Sequence, residues 1–527
     1  MITDLLIGNL LHLRIETKTD AQKYMKMSSR EVSKWLLALL IITSIMATFS
    51  SPASAQLRIT AESGIIGGSG DQTPFWLHMN RHGIHSGEGN QLYANTRLSY
   101  VQTLSDTFTW GAGGELHARA GSEPVLFLNQ GYLSLHGYGF SLKAGAFYNT
   151  SPFQNDRVGL GSLGVSTNAN PVPQIRFEMD EWMPIPFTAE FLQIKAHIAH
   201  GWLGSNRHVD NVLLHEKAGH LRIGGRLPVN VYGGIAHYAH WGGVSPEFGD
   251  IPTRFTDFKS VFLATAGDED TPGQDQEYIL GNHVGAINFG SFIDLSAAEI
   301  HIYRQFPIET KDNLKLKSIQ DALTGISITP AGDSPIRSVV YEFLYTKYQD
   351  GPRRPNILND GRVCLDNPNV CRDNYRGNQN YYNHNIYKSG WTYNVRTMGN
   401  PLFLVNRDNL GIINNRIVAH HAGIEADVGE IVVKGKITFS RNYGRRCDNR
   451  FPEDIGEGEI FGIECTDVVN TSGGRRLDQW SFLAATEFPV FRSRVQNVRM
   501  KAELALDNGN PFGSQAGVLL GLIWRNR

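Results

Sequence analysis

Residues Val498–Asp507 read Val-Arg-Met-Lys-Ala-Glu-Leu-Ala-Leu-Asp, and their alternation decides the fold. Val498, Met500, Ala502, Leu504 and Leu506 alternate with Arg499, Lys501, Glu503, Ala505 and Asp507. Successive side chains of a strand point to opposite sides. This strand therefore divides an oily medium from a wet one. Ile431, Val433, Ile437 and Phe439 alternate in the same way with Lys434, Lys436, Thr438 and Ser440, and Ala516, Val518, Leu520, Leu522 and Trp524 share one face of the last strand. A soluble sandwich puts the oil inside. A transmembrane barrel puts lipid outside and water in the lumen.

The N-terminus favours the barrel. Arg30 and Lys34 precede the apolar run Trp35–Met46, and Ala53 and Ala55 stand before Gln56. This is the pattern of a secretory signal peptide cleaved between Ala55 and Gln56. The run is short for a membrane helix, which needs about 20 residues, so an N-terminal anchor is the weaker reading. Met25 or Met27 would be a more ordinary start. No later stretch has the sustained apolar run of a membrane helix. The expected division is an extension and signal peptide over 1–55, an irregular segment over 56–91 as a candidate lumen plug, and a barrel over 92–527. The net charge of −2 gives no sign of a nucleic-acid partner. Fifty-five glycines and many aromatics suit curved strands and lipid headgroups.

Connection lengths give a topology. About eighteen strands are expected, with sixteen as the alternative count, among them 57–63, 187–200, 277–289 and 292–305. The class is all-β: a transmembrane antiparallel barrel, monomeric and in contact with outer-membrane lipid, in the outer membrane of a Gram-negative bacterium. Short connections at Gly137–Gly139, Pro184–Pro186, Leu227-Pro228, Gly290-Ser291, Pro330–Pro335 and Val428-Gly429 all fall on the periplasmic side. Segments 149–173, 242–276, 306–320, 349–415 and 443–478 fall outside.

Cys364 and Cys371 lie close in sequence, as do Cys447 and Cys465. Pairing within each couple is the expected pattern in an oxidising compartment. Neither couple has zinc-finger spacing, and no metal or cofactor is expected. Catalytic motifs are missing too. His215-Glu216 is followed by His220, one residue beyond the helical spacing of a zinc protease. His237, His240, His420 and His421 read as scattered lumen histidines, and Asp180-Glu181 as an ordinary acidic pair.

The richest polar–aromatic stretch is Asp373–Leu402. Tyr375, Tyr381, Tyr382, Tyr387, Trp391 and Tyr393 are interleaved there with asparagines and arginines. Aromatic faces and amides match the ring faces and hydroxyls of sugars, so these six residues are the candidate polysaccharide contacts. The alternative is a loop whose rings pack on one another.

The run D-N-Y-x(4)-N-Y-Y-N-x-x-x-Y-x-x-G-W-x-Y-x(5)-G-N-P-L, ending at Leu402, resembles the Wzi-type capsule assembly proteins of the outer membrane. Thr73-Pro-Phe-Trp-Leu-x-x-Asn80 and Tyr341-Glu-Phe-Leu-Tyr-Thr346 resemble further motifs of that family. The resemblance implies a barrel of about eighteen strands that binds capsular or other surface polysaccharide and helps anchor it, lectin-like and without catalysis. A porin or solute-specific channel is the first alternative, and a barrel hydrolase the second.

Overall fold

The computed structural model describes residues 57–526 apart from 150, 278, 310, 317–318, 350–378, 407–408, 446–475 and 494–495. The four cysteines, Tyr375 and the cleavage site at Ala55 and Gln56 lie outside the described residues.

Antiparallel strands follow one another around a closed ring. They are β1 (Leu57–Gly68), β2 (Gln91–Thr103), β3 (Phe108–Gly121), β4 (Val125–Gly137), β5 (Phe140–Ala146) and β6 (Pro173–Met179, prolonged by Met183–Pro184). Then come β7 (Leu192–Trp202), β8 (Leu213–Ile223), β9 (Val229–Trp241), β10 (Asn282–Asp294), β11 (Ala298–Ile308) and β12 (Ala322–Pro330). The ring continues with β13 (Ile336–Tyr345), β14 (Ile417–Val428), β15 (Ile431–Asn442), β16 (Leu477–Arg492), β17 (Gln496–Gly509) and β18 (Gln515–Asn526). It shuts where β1 pairs with β18, from Thr60 opposite Arg525 to Gly68 opposite Gly517. This is an eighteen-stranded antiparallel barrel.

Burial is inverted relative to a soluble protein. Leu504, Leu506, Val518, Leu520 and Leu522 are exposed, while Glu503, Asp507 and Ala505 are buried. The apolar face of each strand looks outward and the polar face looks into the lumen, as a lipid-embedded wall requires. Among the described residues no helix is long and apolar enough to cross a membrane. The strands do the crossing.

Two expectations are corrected. The irregular segment does not span 56–91, because Leu57–Gly68 is a full barrel strand paired on both sides. The turn expected at Gly290-Ser291 is inside β10, and the chain reverses at 295–297 instead. Gly290 is there for space: a Cβ would sit 2.5 Å from the ring of Tyr232. Glycine in a strand often marks such a close approach. The strand expected at 277–289 accordingly begins at Asn282, and the one at 292–305 at Ala298.

Candidate functional site

Three stretches turn inward from the outer ends of strands: 69–90, 147–172 and 379–415. Their apolar side chains form one core with the inward face of the barrel. Phe75, Trp76, Leu77, Leu160, Leu163, Tyr382, Trp391 and Leu402 pack with Leu323, Leu344, Leu483, Ala505 and Leu519. The three stretches occupy the lumen at this level.

The first stretch contains a single helical turn, α1 (Phe75–His78), whose four residues are all buried. Pro74 precedes it, a residue suited to a helix start because it has no N–H to leave unpaired. The wall of β15 to β18 holds it. The Phe75 N–H donates to Asp507 at 2.8 Å, and Trp76 Nε1 donates to Thr438 at 3.2 Å. Lys436 lies 4.2 Å over the Trp76 ring. Arg81 grips Glu503 with both terminal nitrogens, at 3.1 and 2.5 Å, a two-point pairing that fixes orientation. Burial pushes the His78 imidazole down to about 3, with Arg396 adding to the effect. His78 is therefore neutral at any physiological pH.

The three stretches are stitched by side chains that donate to backbone carbonyls. Asn80 donates to Leu160 O (2.9 Å), Asn400 to Gly161 O (2.7 Å), and Ser166 to Gly399 O (2.6 Å). Trp391 Nε1 donates to Gly164 O (2.8 Å), the Tyr382 hydroxyl to Leu163 O, and Arg396 to His85 O (2.5 Å). Irregular backbone inside a barrel has no sheet partner, so its carbonyls need such donors.

The aromatic run proposed for polysaccharide contact is part of this stitching. Tyr381, Tyr382, Tyr387, Trp391 and Tyr393 are all at most 3% exposed. Tyr381 donates to Asp321 at 2.7 Å and Tyr387 to Gly242 O at 3.3 Å. Trp391 stacks on His240 with centroids 4.6 Å apart. As placed, these rings build the plug and turn no face to a ligand. Burial raises the Asp321 carboxyl to about 6, though the Tyr381 hydroxyl opposes the shift.

What the rings support is an outer platform. The loop between β7 and β8 rests on the aromatic stretch: Arg207 donates to Thr392 O (3.0 Å), the His208 N–H to Ser389 (2.8 Å), and Asn409 to Asn206 O (3.0 Å). Ser205, Asn206, Asp210 and Asn211 of that loop are exposed.

At the opposite end, where the turns are short, a cavity of about 440 Å³ is lined by Arg157, Arg337, Lys434, Arg499 and Lys501 among others. Carboxylates answer these cations. Arg157 pairs with Glu425, Arg337 with Asp427, Arg499 with Glu487 (2.6 Å), and Lys501 with Glu62 (2.6 Å). Four buried carboxylates around the plug are likewise engaged. Glu503 holds Arg81. Glu115 accepts from Tyr148, Gln130 and Asn95, Glu342 from Tyr303 and the Leu160 N–H, and Glu216 from Arg176. Groups so engaged hold structure and are poorly placed to shuttle protons. The histidine and acidic pairs read from the sequence separate as well. His215 points to the outer wall, whereas Glu216 points inside. His421 sits against Val158 O at 2.7 Å, whereas His420 faces outward beside Tyr341 at 2.8 Å. Asp180 faces His136 at 3.6 Å.

Sequence reasoning read Glu503 and Asp507 as part of a wet face but missed their part in fixing the plug. The signal was the coincidence of Thr73–Asn80 with a nearby unmatched cation, Arg81.

A family model described as capsule assembly protein Wzi matches residues 75–406. Comparison with curated proteins finds no match. Among solved structures, the chain is similar to Wzi of Escherichia coli, an outer-membrane protein involved in group 1 capsule assembly and described as a carbohydrate-binding β-barrel. The two share 13% identity over 94% of this chain and 88% of that one, with a TM-score of 0.51. OccK5 of Pseudomonas aeruginosa shares 7% identity over 89% of this chain and 97% of that one, with a TM-score of 0.44. At such identities the likeness to Escherichia coli Wzi concerns the fold, and the looser likeness to OccK5 carries no argument.

Proposed function

The chain belongs to the Wzi capsule assembly family of the outer membrane, and from that premise we propose that it binds capsular or other surface polysaccharide at its outer mouth and helps hold it at the cell. The reading is lectin-like and non-catalytic. The observation that carries it is the stitched plug: three loops spend their donors on one another inside the barrel. A barrel obstructed by its own loops suits a platform, whereas a porin keeps a water-filled channel. Sugar contact then belongs to outward groups of the loops that the plug holds, such as Asn206 and Asn211. The buried rings of Tyr381, Tyr382, Tyr387, Trp391 and Tyr393 act as the frame beneath. On this reading residues 1–55 are removed on export, and the barrel acts as a monomer. Affinity for a repeating polymer comes from many weak contacts.

The test is binding of purified polymers to the detergent-solubilised barrel, alongside deletion of the gene. Deletion should release polymer into the medium. Asn206→Ala with Asn211→Ala should weaken polymer binding while leaving heat-modifiable gel mobility unchanged. Unchanged capsule amount and attachment after deletion, with no polymer bound in vitro, would sink the reading. Large, steady single-channel currents would favour a channel instead.

A further inference from the structure

The outer loop between β9 and β10 divides in two. Its first part joins the mouth, where Val244 pairs with Asp210, Lys388 meets Glu247 and Ile251 enters the lumen core. Its second part carries α2 (Phe255–Leu263) and α3 (Gly273–Glu277). Pairing fixes which way the wall beneath them faces. Ile235 is exposed on the lipid side of β9, and His237, Ala239 and Trp241 follow it at every second position. His237 is opposite Lys217, and Ala239 is opposite both His215 and His283. Lys217 is opposite Ile198, itself exposed, and His215 is opposite His200. Directly paired residues share a face. His200, His215, Lys217, His237, Ala239, Trp241 and His283 therefore all lie on the exterior of the barrel.

Helix α2 covers this exterior patch. Phe258 packs against His215 (centroids 5.4 Å apart) and Trp241 (5.8 Å), and Phe262 against His215 (5.4 Å). Val261 and Leu280 join Ala239 and Trp241 in one buried cluster. Lys217 lies 3.9 Å from the centre of the Phe262 ring and donates to the Phe262 carbonyl. His237 and His283 contact one another at 2.7 Å. A lysine and histidines on a bare wall would meet hydrocarbon, which penalises charge. The loop folds down the outside and shields them.

The other side of α2 has its own pattern. Phe255, Lys259 and Leu263 recur every fourth residue and form one stripe. Phe255 is 79% and Leu263 56% exposed, and Lys259 is exposed beside them. An apolar stripe with a lysine suits the boundary between acyl chains and anionic headgroups, where the stem lies in oil and the ammonium reaches the headgroup.

We propose that the helical part of this loop, carrying α2 and α3, is an exterior flap that docks on outer-leaflet lipid with anionic headgroups, with Phe255 and Leu263 among the acyl chains and Lys259 at the headgroups. The test places the photoreactive residue benzoylphenylalanine at 255, or at 263 as a second position, in intact outer membranes. Leu504 serves as the lipid-facing control and Asn206 as the control at the mouth. Mass spectrometry of the 255–263 peptide should show a lipid adduct at a yield like that at 504 and absent at 206. Lys259→Gln should lower the yield about fivefold, the effect of one lysine near an anionic surface. Heat-modifiable mobility confirms that each variant is folded. A glycan adduct, a protein adduct, or no lipid adduct at 255 and 263 while 504 reacts would each overturn the proposal.

Discussion

Two short aromatic helices sit on opposite sides of the barrel wall, and their differences show where the water is. Helix α1 lies inside, against β15 to β18, and its four residues are buried. It is held by a carboxylate–guanidinium pair and by donors to the wall. Helix α2 lies outside, against β8 and β9. It is held by ring packing and one lysine, and it keeps an apolar stripe exposed. Behind α1 the exterior wall is clean: Leu504 and Leu506 meet lipid directly. Behind α2 the exterior wall is polar, and the helix stands between it and the lipid. At this patch the chain supplies its own cover for polar residues on the outside of the wall.

The sharpest way to break this comparison is to charge the clean wall. Leu504→Arg should destabilise the barrel by up to about 4 kcal/mol, read by urea titration of folding into vesicles. Lys217→Met, on the covered wall, should change stability by less than about 1 kcal/mol. Equal effects would mean that the two walls do not differ. Next is the inner helix. Arg81→Ala leaves Glu503 buried without its main partner, and Arg81 keeps 21% of its side-chain surface exposed. The loss should be about 3 kcal/mol, the low end for a broken buried pair. It should also loosen the plug, so that planar-bilayer conductance rises above that of the parent.

A smaller effect separates the outer flap by pH. Asp275 is buried in α3, and burial pushes its carboxyl up to about 7 although the Gly281 N–H opposes this. The folded flap therefore binds a proton that the unfolded flap, at its ordinary value of 3.8, releases. The flap is most firmly packed below the unfolded value. It loosens as pH rises through the interval up to about 7, and the loss is complete above that. Asp275→Asn should remove this dependence and protect the flap at pH 8 by about 1–2 kcal/mol in hydrogen exchange. The smallest effect concerns the cysteines. Peptide mapping should give Cys364–Cys371 and Cys447–Cys465 crosslinks, and reductant should leave the heat-modifiable mobility of the barrel unchanged. A Cys371–Cys447 crosslink would refute the pairing alone.

The fold was legible because a period of two writes the wall into the sequence, and because connections alternate between short and long. It misled where a residue had a second meaning. Gly290 looked like a turn and is a gap cut for Tyr232. Tyr278, Ile279 and Leu280 looked like the start of a strand, yet Leu280 belongs to the core under the flap. The site was less legible. Tyr and Trp carry a large apolar face and one polar atom. The same composition serves to bind a sugar from outside or to cap a carbonyl inside. Only the fold separates the two, and it sends Tyr382 and Trp391 to the carbonyls of Leu163 and Gly164. The exterior histidines were misread as lumen residues because their parity matters only once neighbouring strands are in register.

The seam between β1 and β18 sets the timing of assembly. The Ile59 N–H donates to Asn526, 467 residues away. No barrel can shut until β18 has been made, so every earlier state has two open strand edges, each a template for wrong pairing. Loop-closure entropy also opposes so distant a contact until the intervening strands have shortened the path. Closure is therefore expected to be the last and slowest event, and to need escort across the periplasm. Once shut, the seam turns a chain with two vulnerable edges into one with none.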